Sequence, residues 1–455
     1  MTCSADKDNI AARNLLSYAQ IWTAAYLLLM LVGFVLWIGR GGYGSITAAK
    51  YNFFLLVNAL YLGGLLVIAL GGLLRGKLQP AALLTLLRPA SVAQWGVLVL
   101  MLVCALSALC SDYPHIAWSG GYRREGLLTL LLYGVSFWMV SRLGIFRRCY
   151  IYAVAAVVLA NVIIAVLQLW GQNPLELYPQ GVNYYDGAVK YNGRFLGSVG
   201  NVDLFAALLC LLLPLLFLSA RILPLWQRWL CWVCCAAGAV VLLLSDVAAG
   251  VVGLLVTVLL CLPLSLVKNS HQLRRAYVLI ALLVLLSLLL LVLFGGDLQG
   301  DPGDIAAFLR GEMSGDMGSG RIAIWQQVWQ LVGERPLLGG GPDTLGQRLE
   351  FFFERESGQG DIIRTKVDAA HNEYLNWLVN CGAAGLAAYL TALFATAQHV
   401  FRARHDVIAL ALGAAMLGYA VQAFFGISQC IVTPLFWLIW AMLECRLSEH
   451  KRVAE

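Results

Sequence analysis

Apolar positions in this chain run in long unbroken stretches, without the alternation that marks half-exposed strands or surface helices. Twelve such stretches stand at approximately 21–39, 52–74, 92–110, 126–142, 150–170, 198–218, 228–245, 247–267, 276–294, 372–396, 407–426 and 430–446. About 18 to 20 apolar residues wound as a helix cross a hydrocarbon layer of roughly 30 Å with every backbone hydrogen bond satisfied internally. The pattern predicts an all-α, polytopic membrane helix bundle of about twelve transmembrane helices. The gap between the ninth and tenth stretches, residues 296–370, is too long for a simple connector and of a length usually found in functional loops. Within it, "GSGRIAIWQQVWQLVGERPLLGGGPDT" places Trp325, Val328, Trp329 and Val332 at i, i+3, i+4 and i+7, the period of an amphipathic helix. Ser319 is the expected cap of that helix, and Pro336 with Gly339 to Gly341 its expected end. Such a helix would lie on the membrane surface or over the mouth of the bundle. The expected organisation is therefore spans one to nine in 1–295, a loop with short amphipathic helices in 296–370, and spans ten to twelve with a tail in 371–455.

Composition agrees with this picture. The chain is 60% hydrophobic and 12% charged, with a mean hydropathy of +0.78, far from the values of soluble domains. The first stretch exceeds a signal-peptide core and no small-residue cleavage site follows it, so it is expected to be retained. Lysine and arginine set the orientation, because short cytoplasmic loops hold their excess. With the N-terminus inside, eighteen fall in inner segments and six in short outer loops, Arg40 and Lys50 among them. The loop 296–370 holds the other seven and then faces outward, with both termini inside a bacterial cytoplasmic membrane. This bias accounts for the net charge of +6 without a nucleic-acid partner. The twelve cysteines lie mostly in apolar stretches and none falls in 296–370, so a disulfide framework is not expected. "CWVCC" at 231–235 reads as small-residue packing in a helix.

The candidate chemistry lies on the outer side. Four histidines fall at cytoplasmic ends, leaving His115 and His371 outside. His371 opens "HNEYLNWLVNCGAAG", with Asp368 three residues before it and Glu373 two after. A helix N-terminus disfavours an imidazolium and carboxylates favour it. The expected balance is a neutral imidazole with a carboxylate near enough to orient it, as a general base requires. A plain interfacial helix cap is the other reading. Outer arginines run against the positive-inside bias: Arg123 and Arg124 in "GGYRREG", Arg194 in "NGRFLGSVGN" and Arg321 in "GSGRIAIW". Guanidinium groups beside glycines suit phosphate, and snorkelling to lipid headgroups is the alternative for Arg123 and Arg124. Residues 171–197, rich in Gly, Asn, Tyr and Pro, suit stacking on sugars or an interface. No nucleotide-binding glycine motif is present. A substrate outside the cell must bring its own leaving group, and a sugar chain on a polyprenyl diphosphate does so.

These residues together resemble the O-antigen ligase superfamily, which includes lipopolysaccharide O-antigen ligases, O-antigen polymerases and protein O-oligosaccharyltransferases. "HNEYLNWLVNCGAAG" has the form H-N-x9-G-x-x-G through His371, Asn372, Gly382 and Gly385. "GRIAIW" and "RPLLGGGPDT" are similar to Gly-Arg-x3-Trp and Pro-x-x-Gly-x-Gly elements, and "GRFLGSVGN" to an Arg-Phe-x-Gly-x-x-x-Asn segment. The likeness covers roughly 190–445. It implies a GT-C-type glycosyltransferase, without cofactor or metal, that takes glycan from undecaprenyl diphosphate and passes it to a glycan, lipid or protein hydroxyl for surface polysaccharide synthesis. His371 would be the general base, with Arg321 and Arg194 steadying the diphosphate. Arg123, Arg124, Asn372, Glu373 and Trp325 are the expected substrate contacts. One departure stands out: family members often carry Ser-Arg where this chain reads "LLLSDVAAG", so Asp246 occupies the arginine's place, and either Arg123 or Arg124 substitutes or the acceptor differs. A lipid-linked oligosaccharide flippase or inverted-repeat transporter is the alternative from another class; it calls for polar residues midway along several spans.

Overall fold

The computed structural model describes residues 2–178, 195–298, 300–312, 317–318, 320–356 and 362–454. All twelve apolar stretches fall on helices. The first half comprises α1 (Thr2–Leu28, continued as a π-helix over Leu29–Phe34), α2 (Ile46–Leu74), α3 (Pro80–Leu87), α4 (Val92–Leu109), α5 (Pro114–Ser119), α6 (Leu127–Leu143), α7 (Arg148–Leu169), α8 (Val202–Ser219), α9 (Leu225–Leu244), α10 (Ala248–Leu266) and α11 (Ser270–Phe294). The long loop holds α12 (Asp301–Leu309), α13 (Arg321–Val332), α14 (Leu345–Arg348) and an antiparallel hairpin of β1 (Phe352–Glu356) and β2 (Ile362–Lys366). The chain ends in α15 (Glu373–Arg402), α16 (Val407–Gln422) and α17 (Thr433–Ala454). Nine helices among the described residues are long and apolar enough to cross a membrane, so this is a multi-pass membrane protein. α6 and α16 are apolar but have only 17 and 16 residues, about 25 Å at 1.5 Å per residue.

The bundle is built around α8. In its most apolar window 89% of residues are buried, and α16, α9, α10 and α7 pack around it. α4 pairs with α15, and α6 with α17, whose Trp437 and Trp440 are fully buried. α11 is the opposite case: only Leu273 is buried along it, so its leucines face lipid.

Two buried polar devices carry structure through this apolar interior, where an unpaired polar group costs several kcal/mol. Lys50, counted above among outer-loop charges, instead lies inside α2 and is fully buried. Its Nζ donates to the carbonyls of Phe34 and Val35, each at 2.8 Å, at the end of the π-helix where the regular ladder is broken. On α7, Gln168 accepts from the N–H groups of Leu196 and Gly197, and Asn161 from that of Ser198, at 2.9–3.2 Å. The segment leading into α8 is thereby fixed to α7.

The glycine motifs explain one another. α15 is broken at Gly382, with φ +70° and ψ −176°, a conformation essentially restricted to glycine. Into the break fits the loop 336–341. Ala383 and Ala384 donate their N–H groups to the carbonyls of Pro336 and Leu337, while Gly340 and Gly341 donate to those of Val379 and Asn380. A Cβ on Gly382 would overlap the Leu337 carbonyl, and one on Gly339 the Asn380 backbone. The Pro-x-x-Gly-x-Gly element is therefore a wedge that completes the hydrogen bonding of an interrupted helix.

Candidate active site at a polar cavity

A cavity of about 1910 Å³ opens where the starts of α8, α13 and α15 converge with the α9–α10 turn, the end of β2 and the end of α16. His371, Asn372, Arg123, Arg321 and Trp325 all line it, although as many as 249 positions separate them in the chain. Arg194 and Ser319 lie outside the described residues, as does 179–194, the greater part of the Gly-, Asn-, Tyr- and Pro-rich stretch 171–197.

His371 precedes α15 with φ +48°, a left-handed backbone that β-branched residues avoid but His and Asn tolerate better than most. Asn372 caps the helix, its Oδ1 accepting the Leu375 N–H at 3.0 Å. The two flanking carboxylates have other engagements. Asp368 receives Arg123, with Nη2 at 2.6 Å and Nε at 3.1 Å. Glu373, expected to touch substrate, turns into the bundle and does not line the cavity. It is 2% exposed, receives the Tyr389 hydroxyl at 2.7 Å and the Tyr419 hydroxyl at 3.2 Å, and its N–H is held by the Ala423 carbonyl. These bonds make it an anchor for the turn that displays His371. Arg124, the other expected contact outside the cavity lining, lies over the Tyr51 ring at 5.6 Å, a cation–π geometry.

Arg321 is the first residue of α13, after Gly320 in the left-handed region. Its Nη1 donates to the Gly318 carbonyl at 3.1 Å and its Nη2 faces Asp203 at 3.8 Å. Its Nε is buried with no hydrogen-bond partner among the described residues. Trp325, one turn on, sets its ring against Phe424 and Phe425 at 5.8 and 6.2 Å and makes an aromatic wall. α13 begins and ends near its expected bounds, and its buried face matches the expected one in part, through Val328 with Trp325 and Val332 beside it. Ile324 and Val328 enter a small core with Leu345, Val367, Ala370 and Val379, while Trp329 is 63% exposed. The helix is thus packed on α15 beside the cavity.

Several lining residues escaped the sequence reading: Asp203, Lys366, Phe424 and Phe425. Asp203 carried a weak signal, lying two residues after Asn201, whose Oδ1 caps α8. Lys366 ends a strand that the all-α expectation did not contain. Asp246 also lines the cavity, with φ +56°, so the α9–α10 turn brings an acid to this wall.

Asp343 sits behind the Arg123 turn. Burial pushes its carboxyl up to about 6, winning over two backbone N–H donors and Arg123, which pull it down. The same cause raises Glu125. A carboxyl whose folded value lies above its unfolded value of about 3.9 favours folding most at low pH. That contribution is full below about 4 and is lost as pH rises through about 6. The melting temperature of wild type minus that of Asp343→Asn should therefore fall between pH 4 and pH 7. A flat difference would mean that Asp343 does not titrate in this range.

The fold and cavity define a multi-pass membrane protein with a mixed-charge, aromatic-walled chamber at one end of its bundle. Residues 233–390 match the O-antigen ligase family. That stretch contains Arg321, Trp325, the wedge and the whole H-N-x9-G-x-x-G string, while Arg123 and Arg194 lie before it. No curated protein matches the chain. The family match supports a ligase- or polymerase-type function at a membrane, with a lipid-linked glycan and an acceptor as the substrates it implies.

Proposed function

We propose that this chain is a metal-independent GT-C-type glycosyltransferase that takes glycan from undecaprenyl diphosphate at the outer face of a bacterial cytoplasmic membrane. The observation that carries the reading is the convergence of His371, Arg321 and Arg123 on one large cavity with an aromatic wall. His371 removes the proton of an acceptor hydroxyl, and the oxygen attacks the anomeric carbon. The bond to the diphosphate breaks, its electron pair leaves with the polyprenyl diphosphate, and the proton passes from the imidazole to solvent. Arg321 and Arg123 face the charge gathering on the leaving group, the kind of preorganised stabilisation that is typically the largest catalytic term, and Arg194, outside the described residues, is proposed for the same role. Trp325 and Phe424 supply an apolar wall for the glycan, and Asn372 holds the turn in place. The acceptor is a repeat unit, a lipid core or, in the oligosaccharyltransferase variant, a protein hydroxyl.

A transporter reading is weakened by the work of the buried polar groups. Lys50, Asn161 and Gln168, which a transporter reading would count as mid-span polar groups, are committed to backbone groups of the fold. The test is reconstitution of purified protein with polyprenyl-diphosphate glycan and acceptor, following chain growth or transfer. Product should form and should persist in EDTA. Loss of product in EDTA, restored by a divalent metal, would remove metal independence, and movement of label into vesicles without product would favour transport.

The twelve-span arrangement, with both termini inside, has its own check in two exposed native cysteines, Cys110 and Cys149. Cys110 lies at the end of α4 and Cys149 at the start of α7, on opposite sides of the proposed membrane. An impermeant thiol reagent should modify Cys110 on intact cells and Cys149 only after lysis. The reverse pattern would invert the topology.

A further inference from the structure

The turn 120–126 closes on itself, with Gly120 at φ +80° and Arg124 at φ +60°. It is so tight that a Cβ on Gly126 would overlap the Gly120 nitrogen. It presents two converging backbone N–H groups, those of Gly121 and Glu125, one on each side of Arg123. Converging N–H groups of this kind form a site for an anion. Here the anion is built in: Oδ2 of Asp343 accepts from Gly121 at 2.7 Å and from Glu125 at 3.1 Å. Asp343 lies two residues beyond the wedge that fills the break in α15, where Gly340 and Gly341 are bonded to Val379 and Asn380. Hydrogen bonds at each end of the short segment Gly341–Asp343 therefore link α15, through the wedge and Asp343, to the turn that carries Arg123. At its end Arg123 lines the cavity and meets, at 2.6 Å, Asp368, which stands three residues before His371 in the chain. Arg124, beside it, is directed to Tyr51 instead.

Resting on the function proposed above, we infer that Asp343 is a positioning residue: its carboxylate fixes the turn so that Arg123 faces the cavity to receive the diphosphate of the donor. The wedge then has a second role besides completing α15. It ties the helix that displays the base to the guanidinium that holds the leaving group, so that both keep one spacing. Asp343 does not touch the substrate. Its effect passes entirely through Arg123, and this separates positioning from mere support of the fold, which would lower the amount of active protein without changing donor affinity.

The experiment measures binding of a glycan-free polyprenyl diphosphate to purified full-length protein in nanodiscs, with no acceptor present, so that it does not depend on turnover. Arg123→Ala should weaken binding by about tenfold or more, since it removes a charge-assisted pair to phosphate. Asp343→Ala should weaken it to a similar degree, and the double variant should be no weaker than Arg123→Ala alone, because residues acting through one contact are not additive. Asp343→Asn, whose side-chain oxygen still accepts from the turn, should recover most of the loss and guards against a simple folding defect. Wild-type affinity in Asp343→Ala, or losses that multiply in the double variant, would overturn the positioning role. A wild type that binds the diphosphate but transfers nothing would sink the transferase reading and leave the positioning role standing. A wild type that does not bind it would sink both.

Discussion

His371→Asn and His371→Gln should each abolish transfer while leaving binding of the polyprenyl diphosphate intact. The asparagine variant is the sharper of the two. His371 has φ +48°, a conformation asparagine adopts readily, so the turn before α15 should survive and only the base is lost. Glutamine has comparable reach and hydrogen-bonding capacity but cannot take a proton at neutral pH. A positioned general base typically contributes 10²- to 10⁴-fold, and the loss should fall in that range or beyond. The cavity, at about 1910 Å³, has room for a free imidazole beside a shortened side chain. Added imidazole should therefore restore part of the rate to His371→Ala. Donor affinity should be unchanged, because on the proposed function arginines and apolar helices would hold the diphosphate and its lipid. An active asparagine variant would reduce His371 to a helix-terminal residue, whatever the family.

The second large effect is expected at Arg321. Arg321→Ala should lower turnover by about a hundredfold or more, the usual loss when a donor aimed at developing charge is removed. Lysine should recover only part of it, since an ammonium lacks the planar fork. The structure adds a sign that chain position alone does not contain. Asp203 faces Arg321 at 3.8 Å across the cavity wall. On the proposed mechanism, removing the guanidinium takes a positive charge away from a carboxylate close to the leaving diphosphate, and the added repulsion should deepen the loss. Asp203→Asn in the Arg321→Ala background should therefore turn over faster than Arg321→Ala alone. If the double variant is slower, Asp203 has a role of its own in the reaction. Full activity in Arg321→Ala would remove this arginine from the site.

Asp368 and Glu373 show how far the site was legible along the chain. Both flank His371, and proximity in sequence suggested that either could orient it. In three dimensions Asp368 is engaged by Arg123, 245 positions away, and Glu373 by two tyrosines 16 and 46 positions on. Partner choice for a carboxylate depends on which donors the fold brings within about 3 Å, and no local pattern encodes that. The hairpin β1–β2 was missed for a related reason: part of its sequence lies among Gly and charged residues, and its alternation is short. α13 was placed correctly by its period. Of its expected face Val328 is buried and Trp325 and Val332 pack beside it, but Ile324 takes the inner position in place of Trp329, which is exposed.

The membrane class, the long apolar helices and the motifs around His371 and Arg321 were legible along the chain, because hydrocarbon-spanning length and glycine-dependent turns are local properties. Packing in three dimensions set which helix is central. α8 and α11 are both thoroughly apolar, yet the first is almost wholly enclosed and the second almost wholly exposed. Hydropathy cannot separate them, since a lipid tail and a protein interior are equally welcoming to leucine. It also decided that the glycine wedge completes a broken helix, that Asp343 sits behind Arg123, and that acids as well as arginines line the cavity. Those facts rest on hydrogen bonds and ion pairs between residues far apart in the chain, whose geometry exists only once the helices have packed.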